Sequence, residues 1–326
     1  MKFLRLLRHP AALCLALAGL AFFNLLPPDA LAAVAIIGST SVSTAFVANY
    51  NSVVKHAFQR GATKCINMVR HSTDVVGSTE TFQKIGKGTA VTKARHAQIT
   101  PMNVDHSTAT ATLEDFYAGD WVDKLDETKI KHDERDAMAF AGAAALGRKV
   151  DDQIFTAMDG TTNDVTLTLT NYATIRNSLL DVMETLWESD VPDDGQIYIA
   201  LSPHAWSAAL LVEQFSSSRY VPDLPWMKGM EMRKWLGGIW FMHNGVPGRG
   251  TSACKSYAWH KTAIGYASAA NALNVPGYGS QRADITWHGD RAAHFINHMM
   301  SGGAVAIDAT GVVEIDVNDT TALPTS

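Results

Sequence analysis

Positive charge is in short supply here: 27 Lys and Arg stand against 32 Asp and Glu, a formal net charge of −5 over 326 residues. That balance excludes a surface built for general nucleic-acid binding, which needs clustered positive charge. Cysteine is scarcer still, with only Cys14, Cys65 and Cys254. Cys14 lies inside an apolar stretch near the start, so Cys65 and Cys254 form one disulfide or, the preferred reading, remain two buried thiols; neither is a disulfide framework. No apolar run is long enough to span a bilayer, because the stretch from Ala11 to Leu26 ends at Pro27 and Pro28. The chain also lacks CxxC, HExxH and GxSxG patterns, which removes the common zinc, zinc-protease and serine-hydrolase signatures. There is no internal repeat and no low-complexity block.

A composition of 47% hydrophobic and 18% charged residues is enough for a substantial core, in one large domain or two closely connected ones. Lys2, Arg5 and Arg8 ahead of the apolar stretch, then small residues at Ala30 to Ala33, read as a secretory leader over residues 1–33. The alternative is a start codon placed too far upstream. Without those residues, 24 basic and 31 acidic groups remain. Thr44 to Arg60 places Phe46, Val47, Tyr50, Val53, Val54, Ala57 and Phe58 on one helical face, with Gly61 as the stop.

Residues 107–158 are the most informative stretch. HSTATATLEDF alternates with period two, as a strand does, and TETFQKIGKGTAV is a partner for the run TATATLEDFYAGDWV, with the polar segment KARHAQITPMNVDH as the connecting tip. So polar a hairpin has little to bury alone, and it is expected to rest on a neighbouring copy. A helix is predicted from about Asp133 to Met158, roughly 39 Å long at the usual rise. Gly142 and Gly147 inside it, among Ala141 and Ala143 to Ala145, form a narrow ridge for close approach.

Farther on, residues 171–189 read as an amphipathic helix carrying Ile175, Leu179, Val182, Met183 and Leu186. A buried strand QIYIAL follows, then a helix capped by Ser202 with Pro203 at its first position. ADITWHGD, HFINHMMSGGAVAID and GVVEIDV read as strands, the second turning at Gly302 and Gly303, and the tail at 321–326 is expected to be unordered. The fold class is therefore α+β.

Candidate chemistry is thin. His294 and His298 suit a metal only on a helix; in a strand they are about 13 Å apart, and strand is the reading preferred here. Gly86-Lys87-Gly88-Thr89 lacks phosphate-loop spacing and reads as a hairpin bend. The neighbouring acids Asp151-Asp152 and Asp193-Asp194 do not share a helix face, so each pair reads as solvated. Seven tryptophans between Trp187 and Trp287 suit either a core or contacts between subunits. No catalytic residue, metal or cofactor is called for.

The order of these parts resembles the major capsid proteins of tailed bacteriophages, the Hong Kong 97-like fold, over about residues 40–316. The segment from ITPMNVDHSTATATLEDFYAGDWVD through Leu146-Gly147-Arg148 and Asp151-Asp152 carries the resemblance, with YIALSPHAWSAALL and SYAWHKTAIGYA in support. The resemblance implies an N-arm at 34–75, an extended loop at 76–122, and a peripheral domain with its spine helix at 123–170. It further implies an axial domain at 171–280, and peripheral strands with the tail at 281–326. Phe46, Tyr50, Phe82, Lys87, Phe116, Tyr117, Trp121, Arg148 and Asp151 are then candidates for contact between copies. The implied partners are the chain itself in pentamers and hexamers, a separate scaffolding protein, a portal, and enclosed double-stranded DNA met without sequence-specific contacts. The implied location is the virion, assembled in host cytoplasm with no membrane contact; an exported binding protein or hydrolase, or an encapsulin-like cage, are the alternatives.

Overall fold

A computed structural model describes residues 63–129, 134–216, 232–269 and 281–324, all within a compact unit running from His56 to Ser326. The leader at 1–33 and the amphipathic segment at 44–60, with Phe46 and Tyr50, lie outside the described residues.

The described chain begins with a 3-10 turn, Ile66–Met68, and strand β1 (Arg70–Val75), followed by β2 (Thr79–Ile85), β3 (His106–Thr112) and β4 (Glu114–Asp123). Helices α1 (Lys124–Lys129) and α2 (Glu134–Met158) come next, then β5 (Asp164–Leu167), α3 (Tyr172–Glu188) and β6 (Ile197–Leu201). The rest is α4 (Pro203–Leu210), α5 (Glu213–Ser216), β7 (Arg233–Trp235), β8 (Gly238–Met242), β9 (Cys254–His260), β10 (Ile264–Ala269), β11 (Gln281–His288), β12 (Ala293–Ala306) and β13 (Val312–Val317).

Two mixed sheets take most of the strands. A five-stranded sheet runs β1-β10-β12-β11 with β4 also paired to β12, and a six-stranded sheet runs β5-β13-β9-β6-β8-β7. β10 and β13 therefore fall in sheets other than those expected from segment boundaries at 170 and 280. The chain crosses between the sheets because β13 pairs antiparallel with β9, and β10 pairs parallel with β1. No described helix is long and apolar enough to cross a membrane.

Helix α2 shows why this stretch must be helical. Leu146, Val150, Ile154, Phe155 and Met158 recur at helical spacing, and all are buried in the main core with the six-stranded sheet. Its first half lies on β12 and β4, where small residues replace large ones. A side-chain carbon added at Gly142 would collide with the imidazole of His298, so the glycine buys close approach to the sheet. Local caps fix α3 and α4. Asn171 and Thr174 form a reciprocal capping box, and the Ser202 hydroxyl accepts the Ala205 N–H at 3.1 Å.

Three expectations are corrected. β12 does not turn at Gly302 and Gly303 but runs straight through them; the glycines leave room for the Tyr266 hydroxyl and the Thr112 carbonyl. The run HSTATATLEDFYAGDWV is two strands joined at Leu113: only His106–Thr112 pairs with β2, while Glu114–Asp123 pairs with β12. Its aromatic half serves the larger sheet because that sheet offers an apolar surface. The tail is ordered as far as Pro324, since His204 meets the Thr321 carbonyl at 2.8 Å and Leu323 packs on the core.

The hairpin root is not bare either. Phe82 is only 3% exposed, packed with Val75, Ala111 and Ala267 against the space left by Gly265. Among the tryptophans, Trp206, Trp240 and Trp259 are buried, Trp235 is half-buried, Trp187 and Trp287 are exposed, and Trp226 lies outside the described residues. Cys65 and Cys254 are buried free thiols. Gly142→Ala is expected to destabilise the protein by about 1–3 kcal/mol despite alanine's better helix propensity, because the buried His298 ring has nowhere to go. A lower urea midpoint, with the slope unchanged, is the readout.

Candidate functional site: the helix junction and the exposed sheet face

The chemistry of the fold concentrates where α2 meets the segment entering from the N-terminal side. Asp151 points inward from α2 and is fully buried, contrary to its reading as a solvated acid and as a contact residue. Its carboxylate accepts the Thr63 hydroxyl, the backbone N–H of Lys64 (3.1 Å) and of Cys65 (3.2 Å), and Nε2–H of His243 at 3.0 Å. Burial alone would push this carboxyl up; hydrogen bonds from His243 and Thr63, the nearby His243 ring and the Cys65 N–H outweigh it and hold the pKa below the usual carboxylate value. One carboxylate thus ties together residues 63–65, α2 and the end of β8.

Cys65, Asp151 and His243 each bring one ligand-type atom within 4.8 Å of the others. They do not suit a metal. His243 Nδ1 accepts the Gly245 N–H at 3.1 Å, so the ring proton must sit on Nε2, the nitrogen that a metal would need bare. The junction is a structural tie. Nor do His294 and His298 make a metal pair: both lie on β12, His298 under Gly142 and His294 against Trp287 at 4.8 Å between ring centres.

A second tie holds the C-terminal end of α2. Lys255 reaches Asp159 at 2.5 Å and Glu314 at 2.7 Å, and Glu314 also accepts the Gly160 N–H. Hydrogen bonds to Asp159 and Glu314 hold the Lys255 ammonium above its ordinary pKa. A cation there also suits the carbonyl end of a helix. A third tie closes the tail: Asp319 accepts the Ser202 hydroxyl at 2.8 Å and the Gly250 N–H at 3.0 Å. Burial, then Asp319, raises the neighbouring Cys254 thiol to about 12, so it stays a thiol.

Of the candidate contact residues, Phe82 and Asp151 are spent inside the protomer. Phe116 is half-buried beneath the Lys149 ammonium, 4.8 Å above its ring, and Arg148 is half-buried on α2. Lys87 lies exposed on the hairpin and pairs with Asp190 at 2.7 Å. Gly86 to Thr89 sit in that same bend, with no helix following them. Tyr117 and Trp121 are 67% and 37% exposed, on the face of β4 that alternation turns away from α2. Residue spacing carried no sign of His243, Lys255 or Asp319, because each acts across a long sequence separation.

A fold of this kind, two mixed sheets bridged by one long helix with a projecting hairpin, is Hong Kong 97-like. It is similar to a structure from Mycobacterium phage Che8, with TM-score 0.65 and 14% identity over 84% of this chain and 97% of that one. The capsid of cyanophage P-SCSP1u is similar at TM-score 0.65 and 15% identity, over 87% and 95%. The SrpI encapsulin of Synechococcus elongatus is similar at TM-score 0.58 and 10% identity, over 87% and 98%. No curated protein matches by sequence. The family itself is shown by residues 42–319, which match the phage capsid protein family along most of their length: the chain belongs to that family.

Asp151→Asn puts an amide where donors converge and is expected to cost about 2–4 kcal/mol. Because the folded carboxyl lies below its unfolded pKa, its contribution is full above about pH 4 and is lost as pH falls through the folded value. Unfolding midpoints measured from neutral to acid pH should therefore fall steeply for the natural protein and less steeply for the variant; parallel curves would contradict the assignment.

Proposed function

We propose that copies of this chain form the pentamers and hexamers of an icosahedral shell enclosing double-stranded DNA. The observation that carries this reading is family membership over residues 42–319. The chain works by assembly and supplies no catalytic group. The five-stranded sheet with the first half of α2 serves as the peripheral domain, the six-stranded sheet as the axial domain around each ring centre, and residues 34–75 as an arm. Residues 76–122 are the extended loop laid on a neighbour, and Phe46, Tyr50, Lys87, Tyr117 and Trp121 contribute to contacts between copies. A separate scaffolding protein and a portal complete the set of partners, and DNA is met through its general charge. The finished protein resides in the virion, after assembly in host cytoplasm.

The hairpin supports this reading. Its root is anchored by Phe82, whereas residues 86–105 are exposed and tied to the rest of the protomer by Lys87. Exposed ion pairs contribute about 0–1 kcal/mol, too little to hold so long a loop by itself. Similarity to an encapsulin gives a second reading, a cage around a protein cargo. Protein starting at Val34 should form closed particles in size-exclusion chromatography and negative-stain microscopy, and particles from cells should protect DNA from nuclease. A monomer that resists assembly at high concentration with a co-expressed scaffold contradicts the shell, and particles filled with an enzyme instead of DNA support the cage. In the isolated subunit, amides of 86–105 should exchange with solvent fast and become protected only on assembly.

A further inference from the structure

β4 carries a pattern that neither its hydrogen bonding nor the core explains. It pairs only with β12, so its other edge is open, and alternation places Asp115, Tyr117, Gly119, Trp121 and Asp123 on one face. That face lies opposite the one on which Phe116, Ala118 and Val122 sit, the side of the packed helix. The strip reads acid, aromatic, glycine, aromatic, acid. Gly119 is required there because the Phe295 ring lies over it. Trp121 is built in: it contacts Phe295 at 4.6 Å and His288 at 5.0 Å, and the Arg291 guanidinium lies 4.5 Å from its ring centre. Tyr117 has no such cover.

An edge strand with charged ends and bare aromatics between them is a surface awaiting a partner. The segment 114–127 holds six acids and one base. Asp126 and Glu127 are neutralised by Lys129, Lys124 and Arg135, while Asp115 and Asp123 make no ion pair among the described residues. The complementary surface is present on the same chain. The hairpin tip exposes Val91, Ile99 and Met102, at 63%, 77% and 54%, and carries Lys93 and Arg95, which make no ion pair among the described residues. Val91, Lys93 and Arg95 alternate, so in an extended tip they share one face.

We propose that this strip on β4 is the seat for the hairpin tip of a second copy, with Lys93 and Arg95 paired to Asp115 and Asp123 and the tip's apolar residues over Tyr117. The idea rests on the shell reading and names the surface that receives the loop. Guanidinium and ammonium groups suit this strip twice over, since they stack on aromatic faces and pair with carboxylates. Charge complementarity of this sort sets partner choice and register.

The test is charge reversal in the full chain. Lys93→Glu with Arg95→Glu should raise the concentration needed for particle formation about tenfold or more, as should Asp115→Lys with Asp123→Lys, and all four together should restore it. These positions are exposed, so the subunit's urea midpoint serves as the check that folding is intact. Tyr117 should resist tetranitromethane nitration in finished particles and react in the free subunit. Natural chains that form no particle overturn the shell reading and this one with it. Particles that form equally well from the reversed tip overturn only this one. So does a Tyr117 that stays reactive in finished particles, an outcome that leaves the strip to a partner other than this chain.

Discussion

The Asp151 carboxylate is the constraint on which the rest depends. It is buried, it is ionised, and it has four donors from three separate segments. A buried charge is tolerated only when such donors replace water, and removing any of them leaves the others worse than absent. The entry of residues 63–65, the rotation of α2 about its axis and the end of β8 are therefore fixed together. Rotate α2, and Leu146, Val150 and Ile154 would leave the core at the same moment. Apolar packing supplies most of the stability, and the carboxylate decides which arrangement receives it.

With α2 fixed in that way, its C-terminal half belongs to the six-stranded sheet and its first half to the five-stranded one. Lys255 closes the far end onto Glu314, and Gly142 lets the near end settle on His298. Helix and sheets make a frame whose surface features are then free to serve neighbours. The hairpin shows how the division works. Burying Phe82 is worth about 1.5–3 kcal/mol, while the exposed ion pair at Lys87 is worth about 1 kcal/mol at most. The root stays with its own protomer, and the tip is available for exchange of partners. Nothing in the frame needs the aromatic strip on β4, which fits its use between copies.

Local rules made much of this legible from sequence. The α2 helix follows from the spacing of Leu146, Val150, Ile154 and Met158, and α4 follows from Ser202 and Pro203. The failures share a cause. Gly302 and Gly303 look like a turn until Tyr266 and Thr112 crowd them. Asp151 looks solvated beside Asp152 until a histidine 92 residues away claims it. The tail at 321–324 looks loose until Asp319 and His204 hold it. In each case the deciding contact is made between segments far apart in the chain, where periodicity carries no information. Phe82 is the mixed case: the weakness of the hairpin was visible, but the pocket above Gly265 was not.

The central claim is that this frame is a unit of a closed shell, built from a rigid core and a loop lent to a neighbour. Electron cryo-microscopy of particles formed by the natural chain tests it most directly. The account predicts rings of five and six subunits in which α2 and both sheets keep the arrangement described here, with residues 86–105 of each copy lying on an adjacent one. Open aggregates without such rings, or closed particles in which every loop folds back on its own subunit, would contradict it.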